Sequence, residues 1–386
     1  MNIKAEPEAG PGTEPRLVLK AVIVQRSDRF ANSVKPRALV EHLGSRGFEV
    51  EVVESAALGR RGTTGLGRWL PALTVAAMRL YALELLQAAA RVLLRAKNTR
   101  WSRHINGVTL HLVMCQRGRL LARQITGTGC DVLICESSLD QAVVLSRTAT
   151  KQILDLPSPF GDELLFAKVI STASHKTIRA LEEQCLSASD RVSFHWHTYV
   201  NYVREKYEAQ PHWLDCSYGV APKVARATFS KRPRVVFLGN LDAPWVNFAL
   251  LERLSAKYGA IDVWGGPTPP KSAGIRYRGY AASLDILADY QIGLVTITDD
   301  PLRRYSFSSK QLEYFSYGLP VLVPAWRSDP LLAPGSVPYT EDTFLAQVEH
   351  LSDRKSWQQA SSKALELAEA LSWESALGPL TEFLCS

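Results

Sequence analysis

The chain has 386 residues, of which 46% are hydrophobic and 22% charged, and its formal net charge is +7. This composition excludes a fibrous or low-complexity protein, and the length exceeds what one ordinary hydrophobic core supports. Two domains of roughly 200 residues each are therefore expected. Six cysteines lack the spacing of metal ligands, which favours buried small side chains over disulfide or zinc roles.

Residues 1–15 are rich in Pro, Gly and Glu and contain no apolar stretch of the kind that a signal peptide needs. We interpret this segment as a disordered tail. The same observation predicts a cytoplasmic protein.

Short apolar runs then alternate with segments of helical length, which is typical of parallel sheets covered on both faces. In the first half the runs are 18–24, 48–53, 131–135, 151–156 and 191–194. In the second half they are 234–238, 261–264, 275–278, 292–298 and 320–323. The pattern predicts an α/β protein built from two doubly wound units.

The positive charge is concentrated in residues 59–123, where twelve Lys and Arg residues accompany a single acid, Glu84. The stretch 69–94 is strongly apolar, but charged residues interrupt it too often for a transmembrane helix. Three interpretations stay open. Residues 59–123 form amphipathic helices with a solvated basic face, or a surface that binds anionic lipid at the inner face of the membrane, or a surface that binds nucleic acid.

A strand-like run at 213–217 ends in the turn residues 219–222. We therefore predict an N-terminal domain at 16–220 and a C-terminal domain at 221–386. The last helix of the second domain is placed to pack back on the first.

Residues 305–321 carry the sharpest local signal. Ser308 and Ser309 precede a helical segment, whose first N–H groups together with Lys310 predict a phosphate site. Glu313 follows one turn later on the same face, where a carboxylate is placed to hold a ribose diol. The alternative is a surface helix with an ion pair between Lys310 and Glu313.

The spacing of this segment resembles the donor-site signature of bacterial GT-B glycosyltransferases, particularly the retaining family-4 type and relatives such as the xanthan glucuronosyltransferase. The matching positions read Lys310-x-x-Glu313-Tyr314-x-x-x-Gly318-x-Pro320-Val321. The resemblance extends in order and spacing over residues 234–324. It implies the GT-B architecture, two Rossmann-like domains that face a central cleft.

The resemblance also implies a nucleotide-sugar co-substrate of the UDP or GDP type and no separate cofactor. Lys310 would bind its pyrophosphate, beside Ser308 and Ser309, and Glu313 its ribose hydroxyls. Two further pairs complete the implied donor site: Gly239 and Asn240, where the backbone approaches the phosphates or the sugar, and Gly279 and Tyr280, which border the nucleobase.

Two departures from the family pattern bear on stereochemistry. Tyr305 stands eight positions before Glu313, where the family-4 pattern has its first glutamate. The usual Arg and Lys after the glycine loop are replaced by residues 240–247. Retention and inversion of the anomeric configuration both stay open.

Candidates for catalysis come from the ends of N-terminal strands, because those ends face the cleft in this architecture. Asp155 ends one apolar run, and His195 and His197 follow another. A loop-capping aspartate and an aromatic cluster explain the same residues without catalysis. The chain lacks an Asp-x-Asp motif after a strand, which predicts a metal-independent enzyme.

The leading function is sugar transfer to an acceptor held by the basic N-terminal domain. The acceptor stays open among a lipid-linked saccharide, a small natural product and a nucleic-acid base. The alternatives are a nucleotide-sugar epimerase or hydrolase of the same fold and a non-catalytic partner subunit.

Overall fold

A computed structural model of the chain describes residues 19–25, 34–55, 70–269, 272, 274–327 and 329–386, and for 70–75 it describes the backbone alone. The predicted tail at 1–15 lies outside the described residues. The fold consists of two parallel sheets with helices packed against them.

The first sheet has five parallel strands in the order β2-β1-β3-β4-β5. They are β1 (Lys20–Gln25), β2 (Glu49–Glu54), β3 (Val132–Cys135), β4 (Lys151–Leu156) and β5 (Arg191–Phe194). The helices of this half are α1 (Val34–Gly44), α2 (Leu70–Ala96), α3 (Arg100–Thr126), α4 (Phe160–Phe166), α5 (Thr172–Ala188) and α6 (His197–Lys206).

The second sheet has six parallel strands in the order β11-β10-β9-β6-β7-β8. They are β6 (Val235–Leu238), β7 (Ile261–Trp264), β8 (Ile275–Tyr277), β9 (Ile292–Leu294), β10 (Val321–Pro324) and β11 (Ser336–Tyr339). Its helices are α7 (Phe248–Tyr258), α8 (Ser309–Ser316), α9 (Phe344–His350), α10 (Arg354–Ala370) and α11 (Trp373–Cys385).

Each of the ten apolar runs contains a strand, so the predicted α/β class with two doubly wound units is confirmed. Burial on both faces explains why the central strands are continuous apolar runs, whereas the edge strands β2 and β8 are partly exposed and contain charged residues. The edge strand β11 was not predicted. Its Ser-Val-Pro-Tyr sequence contains a proline, and of its four residues only Tyr339 is buried.

Helices α2 and α3 pack on each other as a hairpin, and apolar side chains of α3 join the hydrophobic cluster that contains Val22 and Val24 of β1. Thr99 begins α3 with a capping box shared with Ser102. The seam between the two helices is narrow: Leu80, Gln87 and Ala90 are the buried side chains of α2 from residue 76 onward. Among the described residues, no helix is long and apolar enough to cross a membrane.

Helix α11 packs on the first sheet although it follows the second in the chain. Leu377, Leu380 and Leu384 join the hydrophobic cluster that contains Ala21 and Ile23 of β1. The ammonium of Lys151 donates to the carbonyls of Phe383 at 2.9 Å and Leu384 at 3.1 Å. The domain boundaries at 15 and 220 stay predictions.

Candidate functional site

The carboxyl ends of β6 and β7 form a surface of bare backbone. Gly239 has φ +151°, and its amide donates to the carbonyl of Trp264 at 2.9 Å. A Cβ on Gly265 would lie 3.1 Å from the Gly239 carbonyl oxygen, and one on Gly266 would lie 2.8 Å from Oδ1 of Asn240. The contact at Gly266 is shorter than real Cβ atoms show, the one at Gly265 is tight, and both residues have positive φ, +69° and +95°, so glycine is favoured where the two loops meet.

The same surface continues to the end of β8. Gly279 has φ +87°, and its carbonyl accepts from the amide of Gly265 at 2.8 Å. Tyr280 follows with 71% of its surface exposed, and Asn240 is exposed as well. The four predicted donor residues on this edge therefore lie on connected loops, with an uncommitted aromatic side chain at the rim.

Helix α8 begins beside this surface. The hydroxyl of Tyr314, buried in the helix, accepts from the amide of Leu238 at 2.7 Å and so fixes α8 to the end of β6. Ser308 stands at the N-cap position without a capping hydrogen bond to any described residue. The helix start therefore keeps N–H groups and a hydroxyl available for an anion.

Lys310 and Glu313 share this helix, and both are half-buried. The Lys310 ammonium donates to Oγ of Ser309 at 3.4 Å. Within the described residues no ion pair joins Lys310 to Glu313, so the alternative of a simple surface ion pair has no support. The roles of both residues in donor binding stay predictions.

The carboxyl ends of the strands of the first sheet form the other side of the candidate site, and buried charged side chains lie there. Lys35 of α1 and Asp155 of β4 form an ion pair with a 2.8 Å separation, and each is at least 95% buried. The hydroxyl of Ser193 donates to the same carboxylate at 2.7 Å.

This arrangement corrects the expected position of Asp155. Strand β4 continues through Leu156. The Asp155 side chain points toward α1 and is buried between that helix and the sheet, so it does not lie exposed at the end of the strand. A carboxylate enclosed by Lys35 and Ser193 has no direct path to a substrate. The geometry favours a positioning role, and its predicted catalytic role has no support from the geometry.

Glu136 and His195 lie in front of this pair, at the ends of β3 and β5. Nε2 of His195 is 3.4 Å from Oε1 of Glu136, without hydrogen-bond geometry and without another partner among the described residues. Burial, reinforced by the charge of Lys35, lowers the pKa of His195 to about 3. Burial and the nearby Asp155 carboxylate raise the pKa of Glu136 well above its usual range. A neutral imidazole therefore lies beside a carboxyl group whose protonated form is favoured by burial.

Tyr218 connects the two edges. Its ring centroid lies 5.5 Å from that of His195 and 5.8 Å from that of Phe307, which precedes α8. Burial raises the pKa of Tyr218, and the nearby carboxyl groups of Glu313 and Glu136 raise it further. Tyr218 therefore packs between the N-terminal edge and the segment that leads into the predicted donor helix.

His197 lies apart from His195, as the first residue of α6. Its ring is partly exposed, and Nε2 is 4.0 Å from Oδ1 of Asp329, beyond hydrogen-bond distance. The indole of Trp196 donates to the other oxygen of Asp329 at 2.5 Å and stacks on Phe307 at 4.2 Å. His197 therefore lies at the edge of an aromatic cluster, with its ring 5.1 Å from that of Trp196, and its catalytic role stays a prediction.

The loop before α8 docks on the first half of the molecule. The hydroxyl of Tyr305 donates to Glu205 at 2.9 Å, and the hydroxyl of Thr198 donates to the Tyr305 carbonyl at 2.6 Å. Arg303 lies 3.1 Å from Glu163 of α4. Tyr305, the residue in place of the first family glutamate, therefore serves contact between the two halves.

Sequence reasoning missed Glu136, Lys35 and Tyr218. Glu136 directly follows the apolar run of β3, and the position after a parallel strand was a usable signal. Lys35 carries no such signal, because a lysine near a helix start is ordinarily solvated. Among the described residues, no group of three or more His, Cys, Asp or Glu side chains is placed to hold a metal ion.

The chain matches no family model and no curated protein by sequence. Solved structures match it over nearly its whole length. Sucrose-phosphate synthase from Thermosynechococcus elongatus superposes with a TM-score of 0.66 at 14% identity, covering 95% of this chain and 99% of that one. The chain has the GT-B fold.

Two other GT-B structures agree with this assignment. The lipopolysaccharide outer core galactosyltransferase WaaB has a TM-score of 0.58 at 12% identity, covering 95% of this chain and 99% of its own. TarM of S. aureus, solved with UDP, has a TM-score of 0.54 at 13% identity, covering 70% of this chain and 59% of its own. The expected GT-B architecture is confirmed, and the finer likeness to the family-4 type stays a prediction.

Proposed function

We propose that the protein is a glycosyltransferase that moves a sugar from a nucleoside diphosphate sugar to a hydroxyl-bearing acceptor. One observation carries the proposal: Tyr218 packs on His195 of the Glu136–His195 pair and on Phe307 just before α8, and Tyr314 fixes α8 to the end of β6 beside the glycine surface. Bare backbone accommodates phosphates closely, whereas a carboxyl with a raised pKa suits proton transfer. The relatives of known activity named above are sugar-transferring enzymes by name, which supports the same reaction class.

In this proposal the donor lies along the second sheet. Lys310 and the first amides of α8 hold the pyrophosphate, and Glu313 holds the ribose hydroxyls. Gly279 and Tyr280 border a uracil or guanine base. UDP in the TarM structure favours UDP as the first nucleotide to test.

The chemistry falls to Glu136, which takes the proton that the acceptor hydroxyl loses as the sugar is transferred. Neutral His195 contacts Glu136 and orients the incoming groups, while the Lys35–Asp155 pair fixes both from behind. The leaving diphosphate is stabilised by Lys310 and by backbone amides, so no metal ion is required.

The acceptor is assigned to the basic first half of the chain, and the protein to the cytoplasm with contact at the inner membrane face. The twelve Lys and Arg residues of 59–123 support an anionic acceptor or an anionic surface nearby. Nucleic acid is the weaker alternative.

The donor is tested with a panel of UDP and GDP sugars, reading thermal stabilisation of the full chain. A true donor at a hundred times its Kd should stabilise the protein by about 2.7 kcal/mol. The best donor is then incubated without acceptor, and products are separated by chromatography. Stoichiometric release of an epimer or free sugar would replace transferase with epimerase or hydrolase, and no stabilisation by any nucleotide sugar would leave a non-catalytic protein.

A further inference from the structure

The outward side of α2 is apolar along its described length. Met78, Leu85 and Val92 repeat every seven residues and are 62%, 53% and 65% exposed. Tyr81 and Leu86 flank this row and are each 57% exposed. Alanines fill the remaining positions of the same face: Ala82, Ala88, Ala89 and Ala96. Water-exposed apolar surface of this extent on one helix marks an interaction site.

Charge is arranged around this face and not on it. At about 100° per residue, Arg79 and Arg95 project from its two edges. Lys97, Arg100 and Arg103 follow at the turn into α3, where Trp101 is 70% exposed. An exposed indole within a basic cluster is typical of a residue at a membrane interface.

The one acid of α2, Glu84, is already paired. It lies near the same edge of the helix as Arg95, and its carboxylate forms an ion pair with Arg117 of α3 at 2.7 Å. The outward face thus combines apolar side chains with positively charged edges, and the charge of the acid beside it is neutralised within the hairpin.

This pattern of apolar and charged residues distinguishes between two binding partners for the outward face of α2, a second copy of the chain and a membrane. A second copy would bring two arginine-edged faces together with no acid to neutralise either. An anionic bilayer supplies both an apolar layer and negative headgroups, and a helix 27 residues long would extend about 40 Å along it. We propose that α2 lies in the plane of an anionic membrane surface, with Met78, Leu85 and Val92 in the acyl boundary and the basic turn among the headgroups.

The test is flotation of the full chain with vesicles of phosphatidylcholine alone and of phosphatidylcholine mixed with phosphatidylglycerol. We expect binding to the mixed vesicles at low salt and loss of binding as salt approaches about 1 M, where the Debye length is near 3 Å. Vesicles of phosphatidylcholine alone should bind far less. Each removed cation, in Arg95→Gln or Arg100→Gln, should lower the partition coefficient about fivefold.

The apolar contribution is tested separately with the double variant Leu85→Gln and Val92→Gln. Its partition coefficient should fall tenfold or more, while its thermal unfolding stays that of the wild type, because both side chains already face water. The matched control is Leu331→Gln with Leu345→Gln, two leucines of the second half that are each 44% exposed. The control should float as the wild type does.

Three results would overturn the proposal. The first is that the wild-type protein does not bind anionic vesicles at low salt. The second is that binding is unchanged in the Leu85→Gln and Val92→Gln double variant. The third is that sedimentation shows a dimer of the wild type that dissociates in this double variant. Salt-sensitive retention on RNA without flotation would instead assign the basic turn to nucleic acid.

Discussion

The two sheets present opposite kinds of surface to the same site. The second sheet contributes backbone, at Gly239, Gly265 and Gly279, and the start of a helix. The first contributes buried side chains, including Lys35, Asp155 and Glu136, drawn from separate elements. A backbone surface binds a ligand without ionising, whereas a buried charge cluster changes its protonation with its surroundings. In the proposed function, donor binding belongs to the second half and proton transfer to the first, and each half can be perturbed alone.

The largest effect should follow from Glu136→Gln, which keeps the shape of the side chain and removes its ionisable group. We expect turnover to fall about a hundred- to ten-thousand-fold with donor affinity unchanged, as for loss of a general base. Because the pKa of Glu136 is raised, the wild-type kcat/KM should increase as the pH rises through that value and the carboxylate forms. The variant should lack this rising limb.

Glu54→Gln, at the end of the edge strand β2, is the matched control for that experiment and should retain both turnover and the limb. Full activity in Glu136→Gln would transfer the base assignment to His197. A loss of donor affinity equal to the loss of turnover would contradict the division between the two sheets.

Lys35→Met should destabilise the fold by about 3–5 kcal/mol, because it leaves the Asp155 charge buried without its partner. Urea unfolding measures the change. Adding Asp155→Asn removes that charge and should recover much of the loss. Arg253→Met breaks an exposed pair with Glu341 and should leave stability unchanged. A loss in Lys35→Met no larger than in Arg253→Met would show that the buried cluster does not hold the first edge.

Lys310→Ala should weaken binding of a nucleoside diphosphate about ten- to a hundred-fold by removing a charge-assisted contact. Calorimetry with UDP and GDP reads the dissociation constants. Lys363→Ala removes an exposed lysine of α10 and serves as the control. Unchanged affinity in Lys310→Ala would remove the proposed pyrophosphate site.

Glu313→Gln separates the ribose contact from the phosphate contact. Nucleoside diphosphate binding should weaken several-fold, whereas pyrophosphate binding should stay unchanged, since the proposed partner of Glu313 is a ribose diol. Equal losses for both ligands would contradict this role.

The smallest effect is expected at the backbone surface. Gly259→Ala meets open space at φ +95° and should cost about 1 kcal/mol of backbone strain alone. Gly266→Ala also brings a Cβ within 2.8 Å of Asn240 and should cost about 1–2 kcal/mol and weaken donor binding as well. If both variants bind nucleotide equally well, the glycine surface is not part of the donor site.

The same contrast explains what the sequence could predict. Parallel strands buried on both faces are apolar runs, so they were readable locally. The predicted donor residues from Ser308 to Glu313 lie within one short segment, and their roles stay a prediction. Lys35 and Asp155 are 120 positions apart, and their pairing depends on how α1 packs against β4. The residues next to Lys35 and Asp155 in the sequence give no pattern from which this ion pair could be predicted.

Tyr305 illustrates a different limit. Its position marked the absence of the family glutamate, but its replacement function, contact with Glu205 across the two halves, depends on the tertiary structure alone. Asp155 was placed at a strand mouth because the apolar run ends there. Side chains alternate between the two faces of the sheet along β4, and Asp155 falls on the face that α1 covers. There it pairs with Lys35 of that helix.

The position of α11 has a consequence for how the protein comes off the ribosome. Leu377, Leu380 and Leu384 complete a core that begins with Ala21 and Ile23, more than three hundred residues earlier. Until α11 has been synthesised, the part of this apolar face that α1 does not cover therefore stays exposed. We expect a chaperone, or the second half of the chain as it is synthesised, to cover this exposed apolar surface. The native packing of the first sheet should form only after Leu384 has been synthesised.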